Sequence, residues 1–241
     1  MSIERWRTLS RDLVEALSLE VPPIAISFVA DADGVAAFEE PIPPAAEDGR
    51  TGRVPAGCVF WIKAVARTFS TTRRDHANCS VGSLTHGFVT LDEVAGNDDV
   101  AALLESKWIS PDVVADIPVV TTNPGTIVYG PLEETSVDPD VTLLRITAAQ
   151  LMALSDAIPD LHIGGKPQCH IIALAKQRGA IAASTGCALS RVRTGMPDSQ
   201  MTIAIPGARV QEVLDRLDAT THADAAVAAY ARRDSARFGS R

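Results

Sequence analysis

No apolar run in this sequence reaches the ~18 residues that a membrane-spanning helix requires. The N-terminal stretch from Met1 to Leu17 carries charges throughout and has no apolar segment of the kind a secretory signal needs. A cytoplasmic setting is therefore expected, in which cysteines stay reduced. Positive charge is also scarce. Lys and Arg number 22 against 30 Asp and Glu, a formal net charge of −8. Such a chain repels phosphate backbones, so nucleic acid is not an expected partner. The basic group Arg232, Arg233, Arg237 and Arg241 reads as a solvated helix end.

Catalytic signatures are missing too. There is no Gly-x-Ser-x-Gly, no Walker loop, no Gly-x-Gly-x-x-Gly and no His-Glu-x-x-His. No pair of carboxylates or nucleophile–base arrangement stands out. Cys-x-x-Cys is absent, so neither a zinc ribbon nor a short-spaced dithiol is signalled. What remains is a chain of 241 residues, 46% hydrophobic and 22% charged, which suffices for a sizeable core.

Apolar spacing at Trp6, Leu9, Leu13 and Leu17 predicts a helix over 3–19. Strands are expected at 24–29, 68–72, 118–122, 126–129, 141–146, 180–185 and 201–205, and an exposed loop from Glu39 to Pro55. Helices are expected at 59–67, across the polar region 90–108, at 148–155 behind a Thr147 cap, and at 168–178, 210–217 and 223–236. Residues 73–83 read as an irregular loop. This is an α/β or α+β pattern, a mixed sheet with packed helices.

The four cysteines fall into an internal echo. Cys58 opens an apolar helix, a short strand follows, and Cys79 closes the unit. Cys169 opens a second apolar helix, a strand follows, and Cys187 closes it. The intervening spacings are 20 and 17 residues. The expectation is one domain of two pseudo-twofold halves, about 1–115 and 116–220, with a helical tail at 221–241. Each half then brings two thiolates to the junction.

Thiolate is the ligand form, so the protein must favour the anion. Cys58 and Cys169 fall at predicted helix starts, where free backbone N–H groups help. Cys79 and Cys187 sit beside Ser80 and Gly186, and Arg191 and Arg193 are placed to offset charge. Four thiolates suit a [4Fe–4S] cluster or tetrahedral zinc; two redox dithiols, Cys58/Cys79 and Cys169/Cys187, are the metal-free alternative. His76 and His170 stand near cysteines and read as satisfied polar residues. Gly164-Gly165-Lys166 reads as a turn before a helix.

The stretch from Ser184 through Gly186-Cys187, Arg191, Thr194-Gly195 and Met201 to Ile205-Pro206-Gly207 resembles the C-terminal signature of the domain of unknown function 169 family. Pro22 to Ile26, Gly57-Cys58 and Asn78-Cys79 match its earlier part, and the likeness spans most of residues 3–218. Ser190 and Gln200 depart from the pattern, which has Gly or Arg, and Glu. The resemblance implies no particular activity. It is similar to proteins of bacteria and archaea, many anaerobic, which suits a cluster. The expectation is a cytoplasmic [4Fe–4S] protein with a redox or small-ligand role at Cys58, Cys79, Cys169 and Cys187. Its partners would be a small molecule or a redox protein, and a twofold homodimer is expected on base rates.

Overall fold

The computed structural model describes residues 3–39 and 56–238. Most of the expected 39–55 loop, and Arg241, lie outside them. The chain begins with helix α1 (Ile3–Leu17), strand β1 (Ile24–Val29), α2 (Gly57–Lys63) and β2 (Phe69–Thr71). Five short helices follow: α3 (Arg73–His76), α4 (Ser80–Thr85), α5 (Leu91–Val94), α6 (Asp98–Glu105) and α7 (Pro111–Ala115). Then come β3 (Thr126–Pro131), β4 (Val141–Thr147), α8 (Ala148–Ala157), β5 (His162–Gly164) and α9 (His170–Arg178). β6 (Ala182–Ser184), α10 (Ala188–Thr194), β7 (Gln200–Pro206) and α11 (Val210–Asp234) complete it.

The fold is a mixed α/β one. Seven strands form one sheet in the order β2-β3-β1-β4-β7-β6-β5, antiparallel except for the β5–β6 pair. Alternation along the strands sends side chains to two faces. Leu144 and Ile146 of β4 and Ile203 and Ile205 of β7 meet α1, α8 and α11 through Leu9, Leu13, Leu154, Val213 and Leu217. Val141, Leu143, Ile24, Ile26 and Tyr129 face the other way, against Phe60 and Trp61 of α2 and Ile171 and Ile172 of α9. Each such side chain taken fully out of water contributes about 1.5–3 kcal/mol.

The pairing has a symmetry. β1 and β4 run side by side with Ile24 opposite Leu143, Ala25 opposite Thr142 and Ile26 opposite Val141. Pro131 of β3 faces Ile24, and Pro206 of β7 faces Val141. Phe69 of β2 faces Tyr129, and Ala182 of β6 faces Ala204. Matching Ile24 to Val141, Pro131 to Pro206 and Phe69 to Ala182 carries one set of registers onto the other. Beyond the strand ends, Leu132 N–H donates to the Pro23 carbonyl at 3.0 Å and Gly207 N–H to the Asp140 carbonyl at 2.9 Å. A pseudo-dyad thus passes by Ala25 and Thr142. β3 pairs with β1 and β2, so residues 132–140 separate the strands that this dyad relates.

Several expectations change. Residues 118–122 form no strand, because Ile117 packs among Val81 and Ile109 and Val120 N–H bonds to Thr85 of α4 instead of to the sheet. Strand β5 is an addition, three residues whose first two are exposed and give no alternation. The 73–83 segment is helical, with Thr72 and Asp75 forming a capping box for α3. The two C-terminal helices are one, α11. Thr147 caps α8 by accepting from Gln150 N–H, as its sequence position predicts. Among the described residues no helix is long and apolar enough to cross a membrane.

Leu144→Ala, at a fully buried site in β4, is expected to cost about 2–5 kcal/mol, seen as a lower urea midpoint at unchanged slope. Thr147→Ala is expected to cost about 1 kcal/mol through the lost cap.

Candidate functional site

All four cysteines line a single recess on the α2/α9 side of the sheet, next to the pseudo-dyad. Each is half-buried, and none is in a disulfide. Cys58 is the second residue of α2, and Cys169 is the N-cap of α9. Cys79 and Cys187 are N-caps of α4 and α10, in the same extended backbone, φ −149° and −141°. Their carbonyls take the first helical bonds, from Ser83 N–H at 2.9 Å and Arg191 N–H at 3.0 Å. All four sulfurs therefore lie in first turns, where backbone N–H groups have no helical acceptor. Leu103, Trp108, Pro167 and Leu189 complete a largely apolar wall.

The two units interlock here. Cys58, from the first, shares the recess lining with Ser190 of α10 in the second, which offsets part of its rise. Cys169, from the second, lies near the Thr85 side chain of α4 in the first. Burial pushes the Cys58 thiol up to about 11, and the neighbouring Cys79 and Cys187 add to the rise. Burial also raises Cys169, with Cys79, Cys187 and Cys58 beside it. In the metal-free chain these two are neutral thiols at physiological pH and poor nucleophiles.

Arg193 donates from Nη2 to the Asn78 carbonyl at 3.4 Å, beside Cys79. Burial pulls its guanidinium down, but Cys79 and Cys58 outweigh that and the net shift is upward. Arg191 stands elsewhere. Its guanidinium donates to the carbonyls of Thr185, Pro197 and Gln200 and so braces the loop between β6 and β7. Gly186 allows this. Its φ of +113° suits glycine, and a Cβ would lie 3.0 Å from Arg191 Nη2. Of the two arginines expected at the site, Arg193 lines the recess.

Sequence reasoning passed over His86, which lines the recess and is fully buried. Its Nδ1–H donates to the Gly82 carbonyl at 2.6 Å, which leaves Nε2 bare and without a partner. His76 is its neighbour, with ring centroids 5.2 Å apart. Thr71 gives its hydroxyl hydrogen to the Ile127 carbonyl, so His76 Nε2–H donates to Thr71 and Nδ1 is left unpartnered. Both rings press on Gly57, where a Cβ would come within 3.2 Å of His86. The buried Tyr129 hydroxyl has no partner either; its pKa is raised by burial, with Cys58 and Cys169 contributing. The i to i+4 spacing of Gly82 and His86 was the available signal, and it is weak.

His170 has a structural place. Its Nδ1–H donates to the Pro167 carbonyl, and its ring fills the space above Gly164. Lys166 lays its ammonium over Trp108, 4.6 Å from the ring centroid. Among the described residues, no group of three or more His, Cys, Asp or Glu is gathered closely enough to hold one metal ion. A zinc ion would require four sulfurs at about 2.3 Å from a common centre. A cluster, with its irons at the corners of a cube, takes thiolates standing further apart.

The family model of DUF169, described as an uncharacterised ArCR family, matches residues 12–216 of the chain. No curated protein and no solved structure matches it.

Burial lowers His86 from 6.5 to about 4 and lowers His76 in the same direction. The unfolded chain takes up these protons first. The stability the neutral rings contribute is complete above pH 6.5 and lost as pH falls toward 4, about 3 kcal/mol for His86 alone. Urea midpoints of the metal-free protein across that window should fall with pH, and His86→Phe should flatten the dependence. An unaltered slope in that variant would remove His86 as the titrating group.

Proposed function

We propose that this chain, which belongs to the domain of unknown function 169 family, binds an iron–sulfur centre of the [4Fe–4S] type through Cys58, Cys79, Cys169 and Cys187. One observation carries the reading: four cysteines from four elements and both pseudo-symmetric units line one recess. Four thiols converging on a largely apolar pocket are an uncommon outcome of core packing alone, because nothing in packing requires them to meet. When bound, such a centre takes up or gives up an electron or holds a small ligand at iron.

The chain's own residues fit that group. First-turn N–H groups, Ser190 and Arg193 stand as donors toward sulfur, and hydrogen bonds to sulfur tune a cluster's potential. Trp108, Leu103 and Leu189 restrict water. The raised Cys58 and Cys169 thiols disfavour the metal-free redox reading, since neither is a ready thiolate without a cation to stabilise it. Such a centre belongs in a reducing compartment, so the cytoplasm is the proposed location. A redox protein or a small molecule is the proposed partner.

Protein purified and reconstituted without oxygen should be brown and contain about four iron and four sulfide per chain. Cys→Ser at any of positions 58, 79, 169 or 187 should lower the iron content by more than half. Colourless, iron-free protein after reconstitution would overturn the reading, and one zinc per chain without sulfide would decide for a structural zinc module.

A further inference from the structure

A cavity of about 290 Å³ opens on the other face of the sheet, away from the cysteines. Under β4 and β7 that face is packed by Leu154 of α8 and by Val213 and Leu217 of α11. Along β1 and β3 it stays open, with Ser27, Val29 and Val128 in its floor. Strand alternation puts them there. Ile26 and Tyr129 pack on the cysteine side, so their neighbours face the opposite way. The size is that of a small-molecule site.

The lining carries charge of one sign. Asp31 and Asp33 stand on the segment after β1, and Glu134 follows β3. Among the described residues, no Lys, Arg or His lines the cavity, and none of the three carboxylates is in an ion pair. A second feature lies in the floor. Ser27 is 3% exposed, and its hydroxyl has no hydrogen-bond partner among the described residues. A buried hydroxyl left so is unfavourable, and this one lies on the cavity side of β1. It can accept a hydrogen bond from a cationic N–H.

The placement of the acids selects the kind of cation. β1 and β3 are antiparallel, with Ile24 opposite Pro131 and Val29 opposite Thr126. Asp31 and Asp33 therefore follow one end of the floor, at Val29, and Glu134 follows the other, at Pro131. The floor from Ala25 to Val29 spans roughly 13 Å at the rise of a strand. Carboxylates separated in this way match two or more positive charges joined by an apolar chain rather than one ion. Val29, Val35, Val128 and Val137 supply apolar surface for such a chain. A peptide backbone is not catered for: β1 and β3 are interior strands, each paired on both sides, so the floor offers no free strand edge.

We propose that this cavity binds a linear aliphatic polyamine. Its terminal ammonium groups are held by Asp31 and Asp33 at one end and by Glu134 at the other. Its chain lies over Val29 and Val128, and Ser27 accepts a hydrogen bond from an N–H. The site is on the face opposite the cysteine recess, and its occupancy does not depend on the cluster.

The test is calorimetric titration of the full chain with spermidine at fixed ionic strength. Saturable binding is expected, and 1,8-octanediol, an uncharged chain of similar length, should give none. The triple variant Asp31→Asn, Asp33→Asn, Glu134→Gln should weaken spermidine binding by about tenfold or more. All three residues are exposed, so the fold is retained. A control variant, Glu105→Gln, Asp112→Asn, Asp116→Asn, removes the same charge from exposed positions elsewhere. It should leave the affinity within about twofold, which separates a built site from the general attraction of a chain of net charge −8. Ser27→Leu fills the floor and should abolish binding, with circular dichroism reporting the fold; if it does not fold, the two charge variants decide. No saturable binding by the wild type, equal losses in the two triple variants, or binding retained by folded Ser27→Leu would overturn the proposal. So would equal affinity for octanediol, magnesium or trilysine.

Discussion

The pairing of β1 with β4 is the contact on which the rest of the molecule depends. These strands meet in three residue pairs, Ile24–Leu143, Ala25–Thr142 and Ile26–Val141, and through them β2-β3-β1 and β4-β7-β6-β5 become one continuous sheet. Hydrogen-bonded antiparallel pairing leaves no freedom of half a step, because a one-residue slip would turn every side chain to the wrong face. On the sheet so formed, α2 and α9 pack over the same face. Their cysteine-bearing first turns then point to a common region. The site is a consequence of sheet register before it is a consequence of any local motif.

The interlock of the two units makes that region a shared property. Ser190 belongs to α10 and serves Cys58; Thr85 belongs to α4 and serves Cys169. Neither unit by itself supplies both a thiol of the opening helix and its hydroxyl neighbour. The cross-over also explains why the recess is apolar but not filled. It is the seam where helix ends meet, and helix ends leave backbone groups without helical partners. Around this seam the protein tolerates polar groups that ordinary cores do not. The bare nitrogens of His76 and His86, the Tyr129 hydroxyl, the Trp61 indole and Arg145 Nε all lie on the cysteine side of the sheet without partners. Such groups are individually unfavourable when buried, and their concentration on one side sets it apart from the aliphatic packing under α1, α8 and α11.

Much of the local structure was legible in the sequence. The 3–4 spacing of Trp6, Leu9, Leu13 and Leu17 predicts α1, and Thr147 before Ala148 marks the start of α8, because these depend on neighbours within a turn. The echo around Cys58 and Cys169 was visible as composition and order. The errors share one cause. Residues 118–122 have the apolar, β-branched look of a strand, but Val120 finds its acceptor in α4 and never reaches the sheet. β5 is too short and exposed to announce itself, and exists because the edge of β6 accepts it. Arg191 and Arg193, two residues apart, looked equivalent; the positive φ of Gly186 turns one guanidinium into the loop, while the other stays at the sulfurs.

The sequence alone determined the fold class, most of the elements, the thiol inventory and the existence of two similar segments, because each depends on local periodicity or on residue type. Only the tertiary structure decided that β3 pairs with β1 and β2, that the four cysteines share one recess, and that His86, Ser190 and Arg193 line it. Those facts depend on contacts between residues roughly a hundred positions apart in the chain. Such contacts are set by strand register and helix packing, and no spacing along the sequence encodes them.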